Sequence, residues 1–173
     1  MKEKKTDIAV PNATLGAAAQ PTTGAAIQAP SAPAPPGPVH CPYLFVGFKR
    51  CLYHEEKFQS DAERKLAVIL DREAEKWFKP AKGQFQIYYK QGADHPEYQP
   101  DFVAETADCI YMLEPKAKNE MEDPIVLAKR DVAVTWCKQA SDYAATCGGK
   151  SWKYVLIPHD AIAENMTLKG LAK

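Results

Sequence analysis

An excess of charge of either sign is what this 173-residue sequence lacks: 22 Lys and Arg stand against 22 Asp and Glu. Three of the basic and two of the acidic residues lie within the first 38, leaving 19 against 20 in the remainder. A protein that attracts nucleic acid through its overall field carries a basic surplus, so any such contact here must come from local patches. Long apolar runs are missing as well, and none approaches the ~20 residues of a membrane-spanning helix. The basic start at Met1–Lys5 is followed by Pro11 and Asn12 before any apolar signal core can form. The five cysteines are Cys41, Cys51, Cys109, Cys137 and Cys147, with no C-x-x-C pair among them. That scatter argues against a zinc or redox centre and for a reducing, cytoplasmic setting. His40, His54, His95 and His159 show no metal-ligand spacing. No G-x-x-x-x-G-K-[ST] string occurs, which excludes ATP binding by that loop.

What is present divides into two parts. Residues 1–38 are rich in Ala, Pro, Gly, Gln and Thr after a short charged start, with few large side chains to bury. Such a composition cannot offset the entropy of ordering, so it reads as a disordered low-complexity tail or linker. Residues 39–173 read as one folded domain. Tyr43 to Phe48 is a short aromatic, β-prone run. Ser60-Asp61-Ala62-Glu63 is a capping box that opens a helix expected to reach about Trp77, before Pro80 and Gly83. Phe85, Ile87 and Tyr89 alternate with polar neighbours and Tyr88, the period of a strand. Further strands are expected from Asp101 to about Thr106 and from Cys109 to about Lys116. Asp123-Pro124 caps a second helix running to about Tyr143, Gly148-Gly149 turns the chain, and Trp152 to Ile157 is a buried strand. A short helix after Asp160 completes the order β, α, β-β-β, α, β. That order predicts an α/β fold, a mixed sheet flanked by helices.

The chemistry lies in Pro100-Asp101, twelve residues, then Glu114-Pro115-Lys116. Residues two apart on a strand share a face, so Glu114 and Lys116 project together. A hairpin would set Asp101 beside Glu114. Two close carboxylates repel unless a cation lies between them. Mg²⁺ suits them, because it takes hard oxygen ligands and often uses one or two carboxylates plus substrate phosphate. Lys116 would orient or activate the attacking water. The same residues also admit a plainer reading, an exposed acid–amine pair on a strand surface.

Two more residues belong to the candidate set. Glu63 has two readings: reciprocal acid of the Ser60 capping box, or a further site carboxylate. It falls in the middle of a stripe of Leu66, Ala67, Leu70, Ala74 and Trp77, where an unpaired charge is costly. On the second helix Ile125, Val132, Trp136 and Tyr143 form the expected apolar stripe, with Lys129 close to it. Lys129 would either snorkel to solvent or reach a DNA phosphate.

Beyond these motifs, Lys57–Glu63, Trp77–Pro80, Tyr98–Val103, Tyr111–Lys116, Trp136-Cys137 and Trp152–His159 together resemble the C-terminal endonuclease domain of type III restriction enzymes. That domain belongs to the PD-(D/E)xK nuclease superfamily, and the likeness covers residues 45–171. The resemblance implies a restriction-endonuclease-like fold and Mg²⁺-dependent hydrolysis of double-stranded DNA. It further implies that Asp101, Glu114 and the carbonyl of Pro115 ligate the metal, that Lys116 aligns the water, and that Glu63 supports them. The implied partners are a helicase-type ATPase and a DNA methyltransferase. Two departures stand out. Pro115 cannot donate a ladder hydrogen bond, so its strand end should be an edge or leave the sheet early. No motor sequence precedes the domain. The chain then reads as a detached nuclease domain, a fragment of a broken gene or one piece of a split enzyme or, alternatively, a non-catalytic remnant or interaction module that docks on a methyltransferase or helicase subunit.

Overall fold

A computed structural model describes residues 44–173; the 1–38 tail and the first residues of the expected domain lie outside the described residues. Strands β1 (Leu44–Val46) and β2 (Glu55–Lys57) form an antiparallel hairpin. Helix α1 (Asp61–Glu73) follows, then β3 (Lys76–Phe78). Strands β4 (Ile87–Tyr88) and β5 (Glu97–Tyr98) make a second small hairpin. Next come β6 (Phe102–Glu105), β7 (Cys109–Lys116), α2 (Pro124–Thr146), β8 (Ser151–Pro158) and a short α3 (Leu168–Leu171). The central sheet has the order β3-β6-β7-β8. Its first three strands are antiparallel, and β8 runs parallel to β7. The α/β expectation of a mixed sheet flanked by helices is met. Among the described residues no helix is long and apolar enough to cross a membrane.

Each face of the sheet has its own core. On one face α1 buries Leu66, Ala67, Ile69 and Leu70 against Trp77, Phe102, Leu113 and Ile157. On the other, α2 sets Ala133 and Cys137 against Met112, Tyr98 and Ile87. Full burial of a large apolar side chain stabilises by roughly 1.5–3 kcal/mol, and Trp77 and Phe102 are both wholly buried.

Three expectations are corrected. Helix α1 ends at Glu73, not near Trp77, because Ala74 turns extended (φ −78°, ψ 156°). The Asp71 carboxylate there accepts hydrogen bonds from the backbone N–H groups of Lys49 and Arg50 and from the Trp77 indole. Trp77 keeps its place in the apolar core but reaches it from a strand. Strand β3 therefore replaces the expected 85–89 strand as the first of the three antiparallel strands. Gln86 adopts φ +50°, which breaks extended backbone and leaves only Ile87–Tyr88 to pair. Helix α2 buries Val126, Ala133 and Cys137, while Ile125 and Tyr143 are exposed. Small residues let the helix lie close on the sheet, and Trp136 packs sideways on Phe85 and Trp152, ring centroids 5.2 and 5.0 Å away.

Candidate active site

The hairpin between β6 and β7 builds the site. Phe102 pairs with Leu113, so one further step of the register sets Asp101 opposite Glu114. Thr106 N–H donates to the Cys109 carbonyl at 2.9 Å, which makes 106–109 a hydrogen-bonded pair. Antiparallel pairs alternate, so 102–113 is also hydrogen-bonded and the next such pair would be Pro100 with Pro115. Neither proline has an N–H, and the ladder stops there. Asp101 and Glu114 fall in the intervening non-bonded position, where opposite side chains approach most closely.

This geometry also answers the expectation about Pro115. Its missing donor faces the flank where β6 has ended, while on the other flank β7 stays paired with β8 through Lys116 and Pro158. The strand is therefore open on one side only. By the same alternation the Pro115 carbonyl points to the open flank.

Lys116 lies on the face shared by both acids. Its Nζ is 3.0 Å from Glu114 Oε1 and 3.8 Å from Asp101 Oδ2. Burial pulls the Lys116 ammonium down, but the Glu114 and Asp101 charges outweigh it and hold its pKa above the ordinary lysine range. Glu114 is buried, 3% exposed, and its second oxygen, Oε2, accepts a hydrogen bond from the Tyr98 hydroxyl at 2.9 Å. Tyr98 and, behind it, Tyr154 of β8 have their pKa values raised by burial and by the Glu114 charge, so both phenols keep their protons.

Asp101 is the strained member. Burial, then the adjacent Glu114 charge, pushes its carboxyl up to about 7, with Lys116 acting in the opposite direction. Glu63 raises it further and Lys79 lowers it, so both charges are felt at the site. Two carboxylates and one ammonium leave one negative charge and hard oxygen donors on an open strand end. Among the described residues no cluster of three or more His, Cys, Asp or Glu side chains is arranged to hold a metal. Two carboxylates and a carbonyl fit Mg²⁺, which keeps several waters of its own.

A pH prediction follows from Asp101. Its folded pKa lies above its unfolded value of about 3.9. The associated stability is present below pH ~4 and is lost as pH rises through about 7. Metal-free protein should gain stability between pH 8 and 5 from this group. Asp101→Asn should flatten that slope and stabilise the fold at pH 8, on the order of 2 kcal/mol after allowing for partial exposure. Urea melts at pH 5, 6.5 and 8 check this; equal slopes for both proteins would refute it.

Glu63 sits at the first turn of α1, and the Ser60 hydroxyl accepts the Glu63 N–H at 3.2 Å, as a cap should. The return bond differs from the expected one: Glu63 Oε2 accepts from the Gln59 N–H at 3.2 Å instead of from Ser60. The same oxygen pairs with the Lys79 ammonium. Lys79 also donates to the Lys57 carbonyl at 3.2 Å and lies over the Phe58 and Phe102 rings, 5.4 and 5.2 Å from their centroids. The charge inside the apolar stripe thus has a lysine partner. Lys129 of α2 is half-buried over the Tyr89 ring, 5.4 Å from its centroid.

Sequence reasoning missed Lys79 and Tyr98 as members of the site. A buried acid in an apolar stripe announces a cationic partner, and Lys79 directly follows the strand that packs under α1. Tyr98 lay within the Tyr98–Asp101 string and has no motif of its own. Compared with protein-family models, curated proteins and solved structures, the chain matches none.

Proposed function

We propose that this chain is a Mg²⁺-dependent DNA endonuclease domain of the PD-(D/E)xK kind, similar to the nuclease part of type III restriction enzymes. The observation that carries the reading is Asp101 facing Glu114 across the open end of the β6–β7 ladder, with Lys116 on the same face of β7. The order α1, β3-β6-β7 antiparallel, α2, and β8 parallel to β7 supports a restriction-endonuclease-like fold.

In this reading Asp101, Glu114 and the Pro115 carbonyl hold the cation. Bound there, Mg²⁺ would supply Lewis-acid polarisation of a phosphoryl oxygen and a water of lowered pKa. Lys116, protonated and turned from the two acids when the cation takes its place, would donate hydrogen bonds that orient the water and neutralise charge on the phosphate. Glu63, paired with Lys79, plays a supporting part, its charge at Asp101 opposed by that of the lysine. Lys129 is a candidate phosphate contact on the α2 side. With balanced overall charge, tight and sequence-selective DNA binding belongs to partners, a helicase-type ATPase and a DNA methyltransferase.

A second reading, a non-catalytic module docking on such a subunit, draws on one observation: Lys116 lies within ion-pair distance of both carboxylates, so the chain itself supplies them with a cation. Plasmid nicking separates the two. Full-length protein with Mg²⁺ should convert supercoiled plasmid to open circles, and excess chelator should stop it. Absence of cutting with Mg²⁺ or Mn²⁺, also when helicase and methyltransferase subunits are supplied, would favour the docking module.

A further inference from the structure

We infer that Tyr98 is a positioning residue that confines Glu114 to one-oxygen coordination and thereby selects Mg²⁺ over Ca²⁺. The inference rests on the metal-site reading above and deepens it. Glu114 has two oxygens with different fates. Oε2 is tied to the Tyr98 hydroxyl at 2.9 Å, with donor and acceptor residues 1% and 3% exposed. Oε1 turns the other way, to Lys116 Nζ at 3.0 Å, toward the side where Asp101 lies. The ammonium at Oε1 ends a four-carbon stem with several rotatable bonds, whereas the phenol at Oε2 is fixed by a β-hairpin and a packed core. A metal ion can therefore replace Lys116 at Oε1, but it reaches Oε2 only by breaking a buried hydrogen bond.

That division has a chemical consequence. Mg²⁺ demands near-octahedral geometry at ~2.0–2.1 Å and takes carboxylates one oxygen at a time. Ca²⁺ takes six to eight ligands at ~2.3–2.6 Å and gains from two-oxygen carboxylates. A Glu114 with one oxygen withheld satisfies the first ion and under-coordinates the second. Partners that orient a metal ligand typically contribute 10–100-fold in metal affinity.

The test is calorimetric titration of the full chain with Mg²⁺ and with Ca²⁺ at pH 8, for wild type and Tyr98→Phe, without DNA. Wild type should prefer Mg²⁺. Tyr98→Phe should lose about tenfold in Mg²⁺ affinity while holding or gaining Ca²⁺ affinity. Installing 4-aminophenylalanine at position 98, which restores a donor to the same place, should recover the Mg²⁺ preference. An unchanged Mg²⁺/Ca²⁺ ratio in Tyr98→Phe would overturn the role of Tyr98 and leave the metal site standing. A wild-type chain that binds neither ion removes the metal site and this inference together. Should Tyr98→Phe not fold, infrared difference spectra of wild type with and without Mg²⁺, referenced to Glu114→Gln, decide the matter. The Glu114 carboxylate stretches should separate widely, as in one-oxygen coordination, and a narrow two-oxygen separation would refute the inference.

Discussion

Asp101→Asn and Glu114→Gln should each lower Mg²⁺-dependent DNA cleavage by roughly 10²–10⁴-fold, the range for losing a positioned charged group at a reacting centre. Lys116→Met should cause a comparable loss, yet the three variants should part company in metal binding. The two acid variants remove a ligand and should bind Mg²⁺ more weakly than wild type. Lys116 competes for the same carboxylates, 3.0 Å from Glu114 and 3.8 Å from Asp101, so removing it should tighten Mg²⁺ binding while activity falls. A shape-preserving change in each case keeps the fold, and a single cooperative melt for every variant verifies that, with Asp101→Asn displaced to higher stability at pH 8 as its raised pKa requires. The opposite signs are the decisive feature, because a general loss of structure weakens binding and activity alike. Single-turnover cleavage and Mg²⁺ calorimetry on one set of preparations measure both. Weakened Mg²⁺ binding by Lys116→Met would show that the lysine does not share the cation's position.

The second large effect is on stability. Lys79→Met should destabilise the fold by about 3–5 kcal/mol, because it leaves the buried Glu63 carboxylate without its cation. Glu63→Gln should cost less, since an amide still accepts the Gln59 N–H and the Lys79 ammonium. Replacing both residues, as in Glu63→Leu with Lys79→Met, should recover most of the loss by filling the same space with apolar atoms. Urea denaturation of wild type, Lys79→Met, Glu63→Leu and the double variant closes the cycle and gives the pairwise coupling directly. A single Lys79→Met change of under ~1 kcal/mol would mean that the pair behaves as a solvated surface contact.

How much was legible beforehand depends on whether a feature is local. The Ser60 cap, the Asp123-Pro124 start of α2 and the Cys109–Lys116 strand were readable because capping and alternation are set by neighbours in sequence. The end of α1 was not, because Trp77 satisfies the helical stripe equally well. What removes it from the helix is Asp71 binding backbone N–H groups of Lys49 and Arg50, more than twenty residues away. The buried face of α2 was misread by one position. Hydrophobic weight pointed to Ile125 and Tyr143, whereas close approach to the sheet favoured Ala133 and Cys137.

The same division runs through the site. From sequence alone came the shared face of Glu114 and Lys116, the proximity of Asp101 through a hairpin, and the demand that Glu63 have a partner. Each of these is a matter of parity, spacing or the cost of a buried charge. Only the tertiary structure decided that the ladder opens where Pro100 would meet Pro115, and that Lys79 answers Glu63. It alone set Tyr98 on one oxygen of Glu114. Those outcomes depend on which strands become neighbours, and pairing of strands is a competition among distant segments. Local periodicity carries no record of its result.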